Sequence, residues 1–201
     1  DVDMCSFSAH KVYGPKGVGA LYIRAGTPVQ TTLIEGGAQE RRRRGGTEAV
    51  AQVIGLVTAF EQTITKAEEH LLYLETIKAH LINQLEVYLG GRYIWNTPQD
   101  GTPTSPHILN LSFPPVNDEP IDGEMLLLNM DMAGFMVSSG SACTSGAVEP
   151  SHVLQAMGVP EKTAAATIRF SLGKHTTPTH IEAAVLALAR ILDRMGRKTN
   201  G

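Results

Sequence analysis

Cys143 stands in the run Ser138 to Gly146 (Ser-Ser-Gly-Ser-Ala-Cys-Thr-Ser-Gly), directly after the apolar Phe135-Met136-Val137. A strand that ends there delivers the thiol into a loop of small polar residues with no bulk to bury it. Structural cysteines sit in apolar cores, whereas reactive ones are partly exposed and need room to move. Composition alone leaves a quiet loop cysteine as the alternative. The second chemical candidate is Lys11, which closes Ser8-Ala9-His10-Lys11. A lysine behind a serine and a histidine can condense with an aldehyde cofactor while hydroxyl and backbone N–H groups hold that cofactor's phosphate. Spacing alone also allows the plainer reading, a solvated lysine in a turn made by Gly14-Pro15.

These residues need elements to hold them. The first sixty residues are glycine-rich and strand-like. Gly17 to Ile23 reads as a short buried strand, bounded by Gly14-Pro15 before and Gly26-Thr27-Pro28 after. Gly36 to Thr47 is too polar and too flexible to be core. From about Glu48 the pattern turns helical. Leu74, Ile77, Leu81 and Leu85 repeat at spacings of three and four, and Gly90-Gly91 ends that helix. A proline-rich loop from Thr97 to Pro106 leads to a strand, Ile108 to Phe113, with Leu109, Leu111 and Phe113 on one face. A helix near Ile121 to Met130, the Cys143 loop and a short helix at Ser151 to Met157 come next. Thr167 to Leu172 then alternates polar and apolar. The last helix opens with Thr177 as cap and Pro178 in its first turn, and buries Ile181, Ala184, Val185, Leu188, Ile191 and Leu192. Alternating strands and helices make the class mixed α/β. The composition shift near residue 60 marks a boundary between a strand-rich first part and a compact second unit.

With 201 residues, 42% apolar content and a net charge of −3, the composition is that of an ordinary soluble globular protein. No apolar run reaches the length of a membrane span, and no signal-peptide pattern opens the chain. Two cysteines, Cys5 and Cys143, favour a reducing compartment over a disulfide-stapled secreted fold. Cys5 lies in an apolar run and reads as a buried core thiol. The Arg41 to Arg44 quartet lacks interleaved aromatics in a mildly acidic chain, so a solvated loop or an interface fits better than nucleic acid. The spacings of His70, His80, His107, His152 and His180 form no zinc site. Met125, Met130, Met132 and Met136 read as packing. The opening Asp-Val-Asp-Met suggests a chain that is processed, trimmed or the second piece of something longer.

Four strings together resemble a known family. Asp3 to Tyr22 is similar to the cofactor-lysine segment of the aminotransferase class V family, whose members use pyridoxal 5′-phosphate. Ser138 to Gly146, running on to His152, resembles the active-site loop of the cysteine desulfurases, in the long-loop group that feeds iron–sulfur cluster assembly. Gly36 to Arg41 with Gly46-Thr47-Glu48, and Ile168 to Gly173, match in the same order. The resemblance implies the end of a fold-type I large domain over residues 1–65, followed by a small C-terminal α/β domain over residues 66–201.

The same resemblance implies roles. Lys11, rather than Lys16, would hold the cofactor covalently and move protons at the substrate's α-carbon. Ser8 and His10 would bind the cofactor phosphate, and Thr47 a phosphate across the interface of a homodimer. Arg169 would pair bidentately with the substrate α-carboxylate, which suits a planar guanidinium. The strand alternation itself is neutral, since an outward-facing arginine needs no special role. Cys143, as thiolate, would take the sulfur of L-cysteine as a persulfide, releasing L-alanine and passing sulfur to an iron–sulfur scaffold or other acceptor in the cytoplasm. A free thiol has a pKa of about 8.5, so a helper is needed at neutral pH, and the sequence does not name it.

Two departures stand out. Ala38 interrupts the family's glycine run, and four consecutive arginines exceed its pattern. The family's ring-stacking residue, the acidic partner of the pyridine nitrogen and part of the phosphate cup all precede the cofactor lysine. The chain opens ten residues before Lys11, so it reads as the C-terminal part of a desulfurase that works with a separate N-terminal piece. The alternative is a truncated, non-catalytic binding module that keeps a desulfurase's partner-docking surface.

Overall fold

The computed structural model describes residues 1–32, 34–139 and 151–197. They form two compact units, Asp1–Glu68 and Glu69–Gly201. The architecture is mixed α/β.

The first unit carries strand β1 (Met4–Ser8), a 3₁₀ turn (Ala9–Val12), strand β2 (Gly19–Ile23), a short turn α1 (Gln39–Arg42) and helix α2 (Val50–Thr65). Strands β1 and β2 pair antiparallel from Met4 opposite Ile23 to Ser8 opposite Gly19. The second strand is not buried as its apolar run suggests: Leu21 is 58% exposed and Tyr22 47%. Continuous apolar runs suit strands covered on both faces, and a two-stranded ribbon offers no such cover. Cys5 is likewise half-buried rather than a core thiol, because its strand belongs to that ribbon.

The turn at α1 is no regular helix. Glu40, Arg41 and Arg42 take φ of 50°, 56° and 62°, a left-handed run that side chains rarely adopt. Arg41 to Arg44 are exposed.

The second unit holds α3 (Ala67–Leu89), β3 (Ile94–Trp95), β4 (Ile108–Ser112), α4 (Gly123–Met132), α5 (His152–Ala156), α6 (Glu161–Ala164), β5 (Thr167–Ser171) and α7 (Pro178–Arg197). Strands β3, β4 and β5 form an antiparallel sheet in that order. Leu109 and Leu111 of β4, with Ile168 and Phe170 of β5, bury its apolar face in one cluster with Ile77, Leu81 and Leu85 of α3 and Val185, Leu188 and Ile191 of α7. Every apolar residue expected on the last helix's inner face is buried, and Thr177 Oγ1 accepts a bond from His180 N at 3.3 Å, the cap its position suggests. Asp122 caps α4 by accepting from Met125 N at 3.0 Å.

Candidate active site

The candidate residues are divided between the two units. In the first, β1 runs into the 3₁₀ turn that carries His10 and Lys11. Ala9 is fully buried, which leaves His10 and Lys11 on the exposed side and Ser8 half-buried. The turn is locked by backbone bonds, Ala9 N to Val18 O at 3.1 Å and Gly14 N to Ala9 O at 2.8 Å. A side chain at Gly14 would meet Ala9 Cβ and Ala9 O at 3.0 Å and Ala59 Cβ of α2 at 3.3 Å. Only glycine lets this turn lie so close to the helix. Gly55 admits Pro15 in the same way, since a side chain there would meet Pro15 Cγ at 3.0 Å. Lys11 is thus an exposed amine on a turn fixed from below, and among the described residues it makes no ion pair. Thr47 is exposed just before α2. Asp1 and Asp3 lie beside Arg24, at 3.7 and 3.5 Å.

This set suits a phosphorylated aldehyde: an unengaged amine for the carbonyl, with a hydroxyl and an imidazole within three residues for an anionic group.

In the second unit, Arg169 does not point to open solvent as a plain outward strand residue would. It is half-buried, and its Nε is buried with no acceptor among the described residues. Its backbone is paired on both sides. Across β4 it faces Asn110. On the other side Ser138 pairs with it, Arg169 N donating to Ser138 O at 2.6 Å and Ser138 N to Arg169 O at 3.3 Å. Ser138 is the first residue of the serine-rich run that contains Cys143. The root of that loop is therefore stitched to the strand that presents Arg169. Cys143 itself lies outside the described residues.

Sequence reasoning missed the polar row behind Arg169. Residues directly opposite in an antiparallel sheet share a face, so Asn110, Ser112, Thr167 and Arg169 line the face away from the core. That face is nonetheless covered: Ser112 is fully buried and Thr167 is 2% exposed. Asn96 joins them, its Nδ2 donating to Asn110 Oδ1 at 2.6 Å and to Ser112 Oγ at 2.7 Å. The available signal was polar residues alternating with Leu109, Leu111 and Phe113, which reads equally well as a solvent face. Among the described residues no three of His, Cys, Asp and Glu gather as metal ligands, and no helix is long and apolar enough to cross a membrane.

Comparison with known proteins adds an independent line. The family model for aminotransferase class V matches residues 1–184. The chain is 42% identical over 194 residues to a protein from Dictyoglomus turgidum named cysteine desulfurase IscS, covering 96% of this chain and 47% of that one. It is 43% identical over 199 residues to a cysteine desulfurase from Klebsiella pneumoniae, covering 96% of this chain and 46% of that one. A solved structure titled NifS-like protein superposes with a TM-score of 0.81 at 34% identity, covering 96% of this chain and 47% of that one. The chain thus spans about half the length of the relatives it matches.

Proposed function

We propose that this chain, which belongs to the aminotransferase class V family, carries the sulfur-transferring half of a pyridoxal phosphate-dependent cysteine desulfurase. Residues 1–65 are on this reading the C-terminal part of the large cofactor domain and residues 66–201 the small domain. The apolar surface left bare on β1 and β2 supports the first assignment, since a longer sheet would cover it. The observation that carries the reading is the pairing of Ser138 with Arg169, which roots the Cys143 run beside a buried guanidinium nitrogen that lacks an acceptor.

Lys11, Ser8 and His10 are the residues of this chain that would hold pyridoxal 5′-phosphate, with Thr47 at a phosphate across a homodimer interface. When bound, that group withdraws electrons from the substrate and acidifies its α-carbon. Lys11 takes and returns the proton at that carbon. Arg169 holds the α-carboxylate of L-cysteine and thereby fixes the direction in which the substrate sulfur points. Cys143, as thiolate, attacks that sulfur: an S–S bond forms, the carbon–sulfur bond breaks, and the departing carbon gains a proton to leave L-alanine. The persulfide sulfur passes to an iron–sulfur scaffold or another cytoplasmic acceptor.

Full-length protein loaded with the cofactor and given L-cysteine should release L-alanine and gain one sulfur atom by mass on Cys143. Cys143→Ser should lose both the added sulfur and at least 99% of turnover, about a hundredfold, on the scale by which removing a nucleophile slows an enzyme. Lys11→Ala should lose the visible absorbance of the bound cofactor. A colourless wild-type protein that makes no alanine would instead favour a binding module.

A further inference from the structure

Asn110 stands opposite Arg169 on the same face of the sheet. The polar row has a proton order fixed at one end. Thr167 Oγ1 donates to the Ala164 carbonyl at 2.8 Å, and a carbonyl can only accept. Thr167 has then spent its proton, so Ser112 donates to it across 2.7 Å. Ser112 in turn must accept, and Asn96 Nδ2 supplies the bond at 2.7 Å. The other proton of that amide goes to Asn110 Oδ1 at 2.6 Å. Each bond leaves one choice for the next, so the orientation of both amides follows from the Ala164 carbonyl, and it leaves Asn96 Oδ1 buried without a donor among the described residues. Asn110 Oδ1 accepts from Asn96, so the Asn110 NH₂ is not spent on that partner, and Arg169 is the residue opposite Asn110 in the sheet.

Two donors therefore sit on neighbouring strands of one face, the Asn110 amide and the Arg169 Nε–H. Donors cannot satisfy each other, and Arg169 Nε has no acceptor among the described residues. Side chains directly opposite in an antiparallel pair are neighbours, so one planar two-oxygen anion can accept from both. We propose that Asn110 is a second carboxylate-binding residue, which grips one oxygen of a small carboxylate while Arg169 grips the other, its direction set by the Asn96–Ser112–Thr167 chain. This rests on the desulfurase reading for the identity of the carboxylate, an α-amino acid, but not for the donor geometry.

Nitrogen-15 NMR of the full chain tests it with sodium acetate and L-alanine as probes and chloride as ionic-strength control. The Arg169 Nε–H signal, identified by its loss in Arg169→Lys, should shift saturably with either carboxylate and not with chloride. Asn110→Ala should weaken acetate binding at least tenfold, as loss of a bond to a charged group does. Asn110→Asp is the sharper variant, because it keeps the acceptor for Asn96 and replaces the donor with a second acceptor. It should keep the wild-type unfolding midpoint and lose carboxylate binding. In loaded full-length protein the same variant should raise KM for L-cysteine at least tenfold. Wild-type titration by Asn110→Asp, or an Arg169 signal that acetate leaves unmoved, overturns the proposal. A saturable acetate shift without alanine production from L-cysteine overturns the desulfurase reading and leaves Asn110 in place. Turnover that needs Arg169 but ignores Asn110→Asp does the reverse.

Discussion

The two units spend their apolar residues differently. In the second, helices α3 and α7 close over a three-stranded sheet, and Leu81, Leu85, Leu109, Leu111 and Leu188 are fully buried. The first stacks a two-stranded ribbon against one helix, and Leu21, Tyr22, Ile54 and Ile64 stay between 47% and 64% exposed. Beside them an apolar groove of about 490 Å³ opens between Phe7, Leu21, Phe60 and Ile64. A closed core holds the strand that presents Arg169 firmly, since close-packed interiors resist small displacements. An open ribbon does not, and there the order needed around Lys11 comes from local devices: a turn with two backbone bonds and two glycines cut to fit α2. The contrast teaches that one chain can fix the backbone under a chosen side chain by two separate routes.

Hydrogen exchange is the most forceful way to break this contrast. Backbone amides of β4, β5 and the middle of α7 should exchange only through global opening, whereas β1 and β2 amides should exchange orders of magnitude faster through local opening. Equal protection in the two units would remove the distinction. Core truncation comes next. Leu111→Ala, at a fully buried site, should cost about 2–5 kcal/mol by chemical denaturation. Leu21→Ala, at a site 58% exposed, should cost less than about 0.5 kcal/mol. An effect smaller than that of Leu111→Ala is expected at Gly14→Ala. Its new methyl would stand 3.0 Å from Ala9 O, and the crowding should cost about 1 kcal/mol in the first unit, as overpacking does. Because the strain falls on the turn that carries Lys11, cofactor affinity should fall as well, readable by absorbance titration.

What could be read in advance followed the same division. The period of three and four in Leu74, Ile77, Leu81 and Leu85, and the stripe from Ile181 to Leu192, specify one buried face each, and the fold uses them as such. The run from Gly17 to Ile23 has the composition of an interior strand and nothing in its own residues to say whether neighbours arrive, so its exposure was illegible. Cys5 was misjudged for the same reason. The helical stretch from Glu48 is in fact two helices, broken at Lys66 with φ −107°, where no glycine or proline announces the stop. Arg169 was legible as a candidate. Asn96 and Asn110 were not, because their meaning depends on which strand lies opposite and on a carbonyl at Ala164 that donates nothing to any pattern. Buried polar residues on a strand look like exposed ones until the cover is seen.

The smallest effect tests whether the closed core also governs ionisation. Tyr93 is 8% exposed and packs edge-on against Trp95 with ring centroids 4.8 Å apart, while its hydroxyl donates to Glu86 Oε2 at 3.1 Å. Burial first, then the bond and charge of Glu86, push the phenol from its ordinary 10 up to about 12. The folded chain holds this proton more tightly than the unfolded one. Its contribution is therefore complete below pH 10 and drains away as pH rises from 10 towards 12. Tyr93→Phe keeps the ring and removes the proton. Between pH 10 and 12 the wild type should lose stability relative to this variant, by an amount measurable as a difference in urea midpoint. A pH-independent difference would mean that Tyr93 is as wet as a residue of the open ribbon.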